Sequence, residues 1–230
     1  MKAPLPANEE ARLAALQRYR LLDTAAERAF DDITLLASTL CGTPMALVSL
    51  VDADRQWFKS RRGLDVDQTP REQAFCAHAI LDTAPLIVED ATLDQRFADN
   101  PLVTDQPKLR FYAGAPLIDR DGYALGTLCV LDQQPRQLDA SQRDCLEALS
   151  RQVIEQLELR RAADQLAAAL EDVKSLRALL PICAWCREVR DDDGYWSTLE
   201  HYLVRHHGAD MSHGICPGCY QKMLGKSKAG

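Results

Sequence analysis

Eight cysteines are spread along this chain of 230 residues, and four of them fall in two tight pairs. Cys183 and Cys186 stand in "CAWC", Cys216 and Cys219 in "CPGC". Each C-x-x-C can turn its two sulfurs toward one point, and two such turns complete the tetrahedral four-sulfur shell that holds structural zinc. A closed shell leaves no position for water, so it would brace the chain rather than catalyse. Four-cysteine iron has the same spacing and stays open beside zinc. A thioredoxin-type dithiol would need one pair on a βαβ scaffold, and c-type haem a His directly after the pair, where Arg187 and Tyr220 stand. His213, just before the second pair, reads as a donor to the sulfurs or as part of the loop.

The other four cysteines, Cys41, Cys76, Cys129 and Cys145, are scattered. Cys76 lies in "FCAHAI" between Phe75 and His78, and it reads either as a small buried hydrophobe or as a thiol facing a pocket. Positions i and i+2 do not share a helical face, which argues against direct activation by His78. Cys41 and Cys145 fall on apolar helical faces and Cys129 in the strand-like "GTLCVLD", all readings of core. Thiol enzymology needs a resolving sulfur, and on this reading Cys76 has none. Trp57, Phe58, Arg110 and Tyr112 are further candidates to line a pocket, with Arg110 suited to an anionic ligand.

The elements that must position these residues follow from periodicity. "NEEARLAALQRYRLL" predicts a helix with Asn8 as N-cap, and "FDDITLLASTLC" a second, burying Phe30, Ile33, Ala37 and Leu40 and stopping at Gly42. "MALVSLVD" and "RQWFKSRRG" predict two strands joined by a tight turn, "EQAFCAHAIL" a short helix and "LIVED" a brief strand. "DQRFADNPLV" reads as a loop or helical turn ended by Pro101, and "LRFYAGAPLID" with "ALGTLCVLD" as a hairpin across "RDGY". Helices bracketing a largely antiparallel sheet make an α+β fold.

No Gly or Pro interrupts residues 139–180, which predicts one long helix. Leu146, Leu149, Val153 and Leu157 would pack it on the preceding domain. Leu159, Leu166, Val173 and Leu180, with Ala162, Ala169 and Leu176, form a heptad seam out of phase with that set. The seam predicts a homodimer; a long helix docked within one chain is the alternative. Beyond Pro181, "REVRDDDGYW" predicts a hairpin and "STLEHYLVRHH" a helix with Ser197 as N-cap and Glu200 closing a capping box. That segment is too short to fold on a hydrophobic core alone, so a metal staple is expected.

Charge narrows the partners. The net charge is −7, and residues 181–230 balance six Lys/Arg against six Asp/Glu. Neither part offers the basic stripe that a phosphate backbone requires, so nucleic acid is not an expected partner. No apolar run is long enough to span a bilayer, and the acidic N-terminal stretch has no signal-peptide h-region; both point to a cytoplasmic protein without membrane contact. In that reducing compartment the cysteines are not expected as disulfides.

The motifs "YRLLDTAAERAFDDIT", "ALVSLVDADRQWFKS", "FCAHAI", "RFADNPLV", "RFYAGAPL" and "GTLCVLD" resemble a bacterial GAF sensory domain over residues 8–160. The resemblance implies a six-stranded, largely antiparallel sheet between helices, a pocket on one face for a small ligand, and dimerisation through flanking helices. The Asn-Lys…Phe…Asp-Glu signature of cyclic-nucleotide-binding relatives has no counterpart, and bilin-binding relatives set His directly after the attachment Cys, whereas Ala77 separates Cys76 from His78. "ICAWC", "DGYW" and "SHGICPGC" resemble a small cysteine module found behind receiver, PAS and GAF domains in bacterial signalling proteins.

The resulting organisation is an N-terminal tail at 1–7, a GAF domain at 8–160 with its C-terminal helix at 139–160, and a coiled-coil-like linker at 161–180. A four-cysteine zinc module follows at 181–224 and a flexible tail at 225–230. No GGDEF-like motif, Gly-rich nucleotide loop or kinase phospho-acceptor helix is present, so the reading is a non-enzymatic signalling protein that senses a small ligand or redox cue and contacts a partner protein. The alternative is a thiol-dependent reductase of the free methionine sulfoxide type, or a peroxide-responsive enzyme, using Cys76.

Overall fold

The computed structural model describes residues 2–177, 181–191, 193–208, 210, 212 and 214–226. Two compact units divide the chain, Met1–Gln165 and Leu166–Gly230.

In the first unit, helices α1 (Glu9–Arg18) and α2 (Arg28–Cys41) precede strands β1 (Met45–Val51), β2 (Arg55–Arg62) and β3 (Gln68–Pro70). A 3-10 turn at Arg71–Gln73 leads into α3 (Phe75–Ala79). Then come β4 (Leu86–Val88), α4 (Pro101–Thr104), β5 (Phe111–Ile118), β6 (Ala124–Asp132) and the long α5 (Ala140–Arg177), whose residues past Gln165 belong to the second unit. The strands form one sheet in the order β3-β2-β1-β6-β5-β4, antiparallel throughout.

Both faces of that sheet are covered, which is why β1 reads as a continuous apolar run and every one of its residues is buried. Ala46, Val48 and Leu50 pack with Leu16, Phe30, Ala37, Leu146, Val153 and Leu157 from α1, α2 and α5. Met45, Leu47 and Val51 pack on the opposite face with Phe75, Cys76, Phe97 and Tyr112. A bulge between Val48 and Ser49 shifts the β1–β2 register, so that Ser49 lies opposite Phe58 and Leu50 opposite Trp57.

Several local expectations shift by a residue or a face. Gly42 does end α2, in the left-handed region at φ 64°, but Leu40 is exposed and the buried stripe runs through Phe30, Ile33, Thr34, Ala37, Ser38 and Cys41. Asn8 stands at the N-cap of α1 without a side-chain cap bond. Pro101 begins a helix instead of ending one: Asn100 caps α4 by accepting from the Leu102 N–H, and proline occupies a first-turn position where no N–H is needed. β3 has no counterpart in the sequence reading, because three residues carry no period.

Helix α5 opens on a reciprocal cap, the Gln142 N–H donating to Asp139 Oδ1 and the Asp139 N–H to Gln142 Oε1. Leu146, Val153 and Leu157 are buried as expected. Past them Leu159, Leu166 and Leu170 are more than half exposed in the single chain. Leu180 and His213 lie outside the described residues, as do the side chains of Val173 and Leu176. No helix among the described residues is long and apolar enough to cross a membrane.

In the second unit, β7 (Val189–Arg190) and β8 (Trp196–Ser197) make the expected hairpin, turning at Gly194 with φ 87°. Asp191 closes the turn, its carbonyl accepting from the Gly194 N–H and its carboxylate from the Tyr195 N–H. Helices α6 (Leu199–His207) and α7 (Pro217–Lys226) follow. The α6 cap is Thr198, whose side chain accepts from the His201 N–H, so Ser197 belongs to the strand and the expected capping box does not form. Among the described residues of this unit, Val189 is the one fully buried apolar side chain.

Candidate functional site

The sheet face opposite α1 and α2 carries a closed nest of sulfur and hydroxyl groups. Alternation along β6 points Thr127 and Cys129 to this face, as it does Ser49 in β1 and Tyr112 in β5, while α3 lowers Cys76 onto them. The Tyr112 hydroxyl donates to Cys76 Sγ at 3.3 Å and the Thr127 hydroxyl at 3.0 Å. Cys129 Sγ lies 3.8 Å from Cys76 Sγ. Ser49 lies close by, its buried hydroxyl without a well-formed partner of its own.

Two neighbours make this geometry possible. Gly114 lies two residues beyond Tyr112 on the same face, and a Cβ there would meet Tyr112 Oη at 2.1 Å. Only a bare backbone lets the phenol lie along the strand and reach the sulfur. Phe75 then closes the nest, stacked on Phe97 with ring centroids 3.9 Å apart and tilted against Tyr112 at 5.2 Å. Cys76 is 1% exposed, Cys129 and Tyr112 0%.

Burial pushes the Cys76 thiol up, but hydrogen bonding with Cys129, Thr127 and Tyr112 outweighs it and brings the group down to about 7. Cys129 and Tyr112 move well above their ordinary values, through burial first and then through the neighbouring Cys76. The opposite shifts make Cys76 the more readily ionised of the two sulfurs and Cys129 the one that keeps its proton longer. The sequence reading of Cys129 as core holds, and the structure adds its contact with Cys76. It is thus also the second sulfur that Cys76 lacked. Cys41, on the other sheet face, behaves differently: burial and the nearby Cys145 push it up to about 11.

The other predicted pocket residues divide. Phe75, Cys76 and Tyr112 are brought together, and His78 borders them with its ring edge against Phe97 at 4.8 Å. Trp57 is not among them. It pairs with Leu50 and packs in the α1/α2/α5 layer, because the β1–β2 bulge sets Phe58, not Trp57, on the Cys76 face. Arg110 is turned away as well: its guanidinium donates to the carbonyls of Val103 and Leu109, holding the loop before β5.

In the second unit each cysteine pair sits in its own turn. The Arg187 N–H donates to the Cys183 carbonyl and the Cys183 N–H to the Glu188 carbonyl, with Arg187 in the left-handed region at φ 65°. Cys216 precedes α7 and accepts from the Tyr220 N–H, while Cys219 lies in the first turn. The Cys183 thiol is lowered, first by the backbone of Cys186, and the Cys216 thiol, first by the backbone of Cys219. Among the described residues no group of three or more Cys, His, Asp or Glu side chains gathers at one point, so the two half-sites stand as separate pairs. Their chemistry fits a thiophilic cation: four soft donors, two with depressed thiols, in two turns.

Comparison with known proteins places these features. The family model described as GAF domain matches residues 25–157. A cyclic di-GMP phosphodiesterase of Pseudomonas aeruginosa is 48% identical over 133 residues, which are 58% of this chain and 23% of that protein. The chain thus spans under a quarter of the length of that curated relative. Among solved structures, a bacteriophytochrome from the photosynthetic bacterium R. palustris aligns over 75% of this chain and 41% of its own, with 14% identity and TM-score 0.54. The blue-light absorbing form of the Thermosynechococcus elongatus PixJ GAF domain aligns over 70% and 96%, with 15% identity and TM-score 0.51. At such identities the two structures share the fold alone.

Proposed function

Because the chain belongs to the GAF domain family, we propose that it is a signal-transduction protein whose sensory site is the nest around Cys76. The observation that carries this reading is the nest itself: a polar, thiolate-bearing cluster kept inside a sheet face that hydrophobic packing alone would fill more cheaply. Its closure by Phe75, Phe97 and Tyr112 favours a small ligand or a redox cue over a bulky chromophore. The phosphodiesterase activity in the Pseudomonas relative's name belongs to a chain of which this one spans 23%, and it is not part of the reading proposed here.

The output runs through α5, whose exposed Leu159 and Leu166 supply the seam for a second copy of the chain, and ends in the module of Cys183, Cys186, Cys216 and Cys219. Those four would hold one structural zinc, and the assembled module would meet a partner protein. Zinc would supply no reaction there; it would take the part of a core in a unit whose described residues bury one apolar side chain fully, Val189. Native mass spectrometry of the purified protein tests this reading. One zinc per chain, lost in Cys183→Ser, is expected, together with any small molecule held by the GAF unit. A metal-free protein sinks the zinc module.

One observation favours a second reading. Cys129 within 3.8 Å gives Cys76 the resolving sulfur that a thiol-dependent reductase requires. Turnover of free methionine sulfoxide by the wild type, abolished in Cys76→Ser, would establish it; no turnover in either protein rejects it.

A further inference from the structure

We propose that Cys76 and Cys129 close into a reversible disulfide when the protein meets a peroxide, making the buried sheet face a thiol switch. This deepens the sensory reading of the nest and rests on it for its purpose, though not for its chemistry. Four observations converge. The sulfurs already lie 3.8 Å apart, so reaching a bond of about 2.05 Å requires closing less than 2 Å. They come from elements that pack directly on one another, the short helix α3 and strand β6. Two hydroxyls, those of Tyr112 and Thr127, donate to Cys76 Sγ, which favours Cys76 as the nucleophile and leaves Cys129, in contact with it, as the resolving thiol. Both sulfurs are buried behind Phe75 and Tyr112, which disfavours an oxidant as bulky as glutathione disulfide and selects a peroxide, the smallest of the cellular oxidants.

The steps balance. The Cys76 thiolate attacks one peroxide oxygen and an S–O bond forms. The O–O bond breaks, and the departing hydroxide takes a proton to become water. Cys129, having given up its proton, attacks the sulfur of the Cys76 sulfenic acid. An S–S bond forms, the S–O bond breaks, and the second oxygen leaves as water. Two thiols and one peroxide become one disulfide and two waters, with peroxide reduced and sulfur oxidised. A small-molecule dithiol would return both sulfurs to the reduced state by exchange, being oxidised to its own disulfide. Once the bond is made, the Tyr112 and Thr127 hydroxyls lose the charge they were facing, and α3 is drawn toward β6.

Tryptic mapping tests this on the full chain, because residues 72–96 carry Cys76 and residues 121–136 carry Cys129, each as its sole cysteine. Reduced protein is exposed to hydrogen peroxide, blocked with iodoacetamide, digested without reductant and analysed by mass spectrometry. The two peptides are expected joined, two hydrogens lighter than their sum, and separated again by dithiothreitol. In Cys129→Ala the joined species disappears and dimedone labels Cys76; in Tyr112→Phe it forms several-fold more slowly. Wild-type peptides that stay separate, whether alkylated or overoxidised, overturn the switch, and that result needs no variant to fold. They would leave the sensory reading intact, since that is judged by what the native protein carries. A joined peptide in a protein that still carries a small organic ligand in its GAF unit would support the disulfide and count against the nest as the ligand site.

Discussion

Gly114 owes its identity to Tyr112. The phenol crosses the strand where any Cβ would stand, so Gly114→Ala must push the ring off Cys76 or strain the backbone of β5. Overpacking of this kind costs about 1–3 kcal/mol. We expect a lower denaturation midpoint and, because one donor is lost, a Cys76 thiol that ionises above about 7. Thiolate absorbance near 240 nm, taken as the difference from Cys76→Ser, reads the second effect. An unchanged titration would mean that Tyr112 does not stabilise the charge. At this scale the sequence is least legible. Cys76 and Cys129 stand far apart in the chain, and alternation in "GTLCVLD" tells that Cys129 is inside without telling which face it shares. The β1–β2 bulge is equally silent, and it is what moves Trp57 away from the site.

Elements were legible where they carry a period and a stop. Strands β1, β2, β5 and β6 and helices α2 and α5 stand where apolar spacing and turn residues put them. Capping was read less well, since Thr198 and Ser197, or Asp139 and Asn100, differ in tertiary setting more than in residue type. One interaction joins elements that no local pattern connects. Glu9 at the start of α1 faces Arg12 and also Arg71, whose guanidinium donates to the Asp52 carbonyl in the turn before β2. Burial alone would raise the Glu9 carboxyl, but the two guanidiniums hold it at about 2, against an ordinary 4.5. A carboxyl depressed on folding stabilises the fold fully above its unfolded value and loses that contribution as pH falls toward its folded value. Glu9→Gln should therefore cost on the order of 2 kcal/mol at neutral pH, with the gap to wild type narrowing from pH 4.5 down to 2. Urea titrations of both proteins across that range give the answer; a gap independent of pH would assign the loss to packing.

At the scale of the molecule, the two units differ in what holds them together. The first buries two layers of side chains against a six-stranded sheet, whereas the second, among its described residues, leaves Trp185, Tyr195 and Ile215 exposed. A chelator should accordingly abolish the structure of the second unit while the first keeps its thermal transition, and differential scanning calorimetry separates the two. Replacing Leu159 and Leu166 by Asp should leave the GAF unit folded and convert a dimer to monomer in sedimentation velocity, because both side chains are 62% exposed in the single chain. The overall plan was the most legible part of the sequence, since motif spacing over a hundred residues constrains a fold more tightly than any single contact. What a seam or a pair of C-x-x-C turns finally binds lies in a second molecule or an ion, and sequence spacing names only the chemistry that suits it.

The order of strands has one further consequence. β6 lies between β1 and β5 at the centre of the sheet, and only residues 133–139 separate it from the start of α5. On the proposed reading, a tug on the sulfur-bearing strand would travel along covalent chain into the helix by the shortest route the topology offers. Lengthening that connection with a few glycines should disconnect input from output while leaving each intact, much as slack in a cable silences a bell without harming either end.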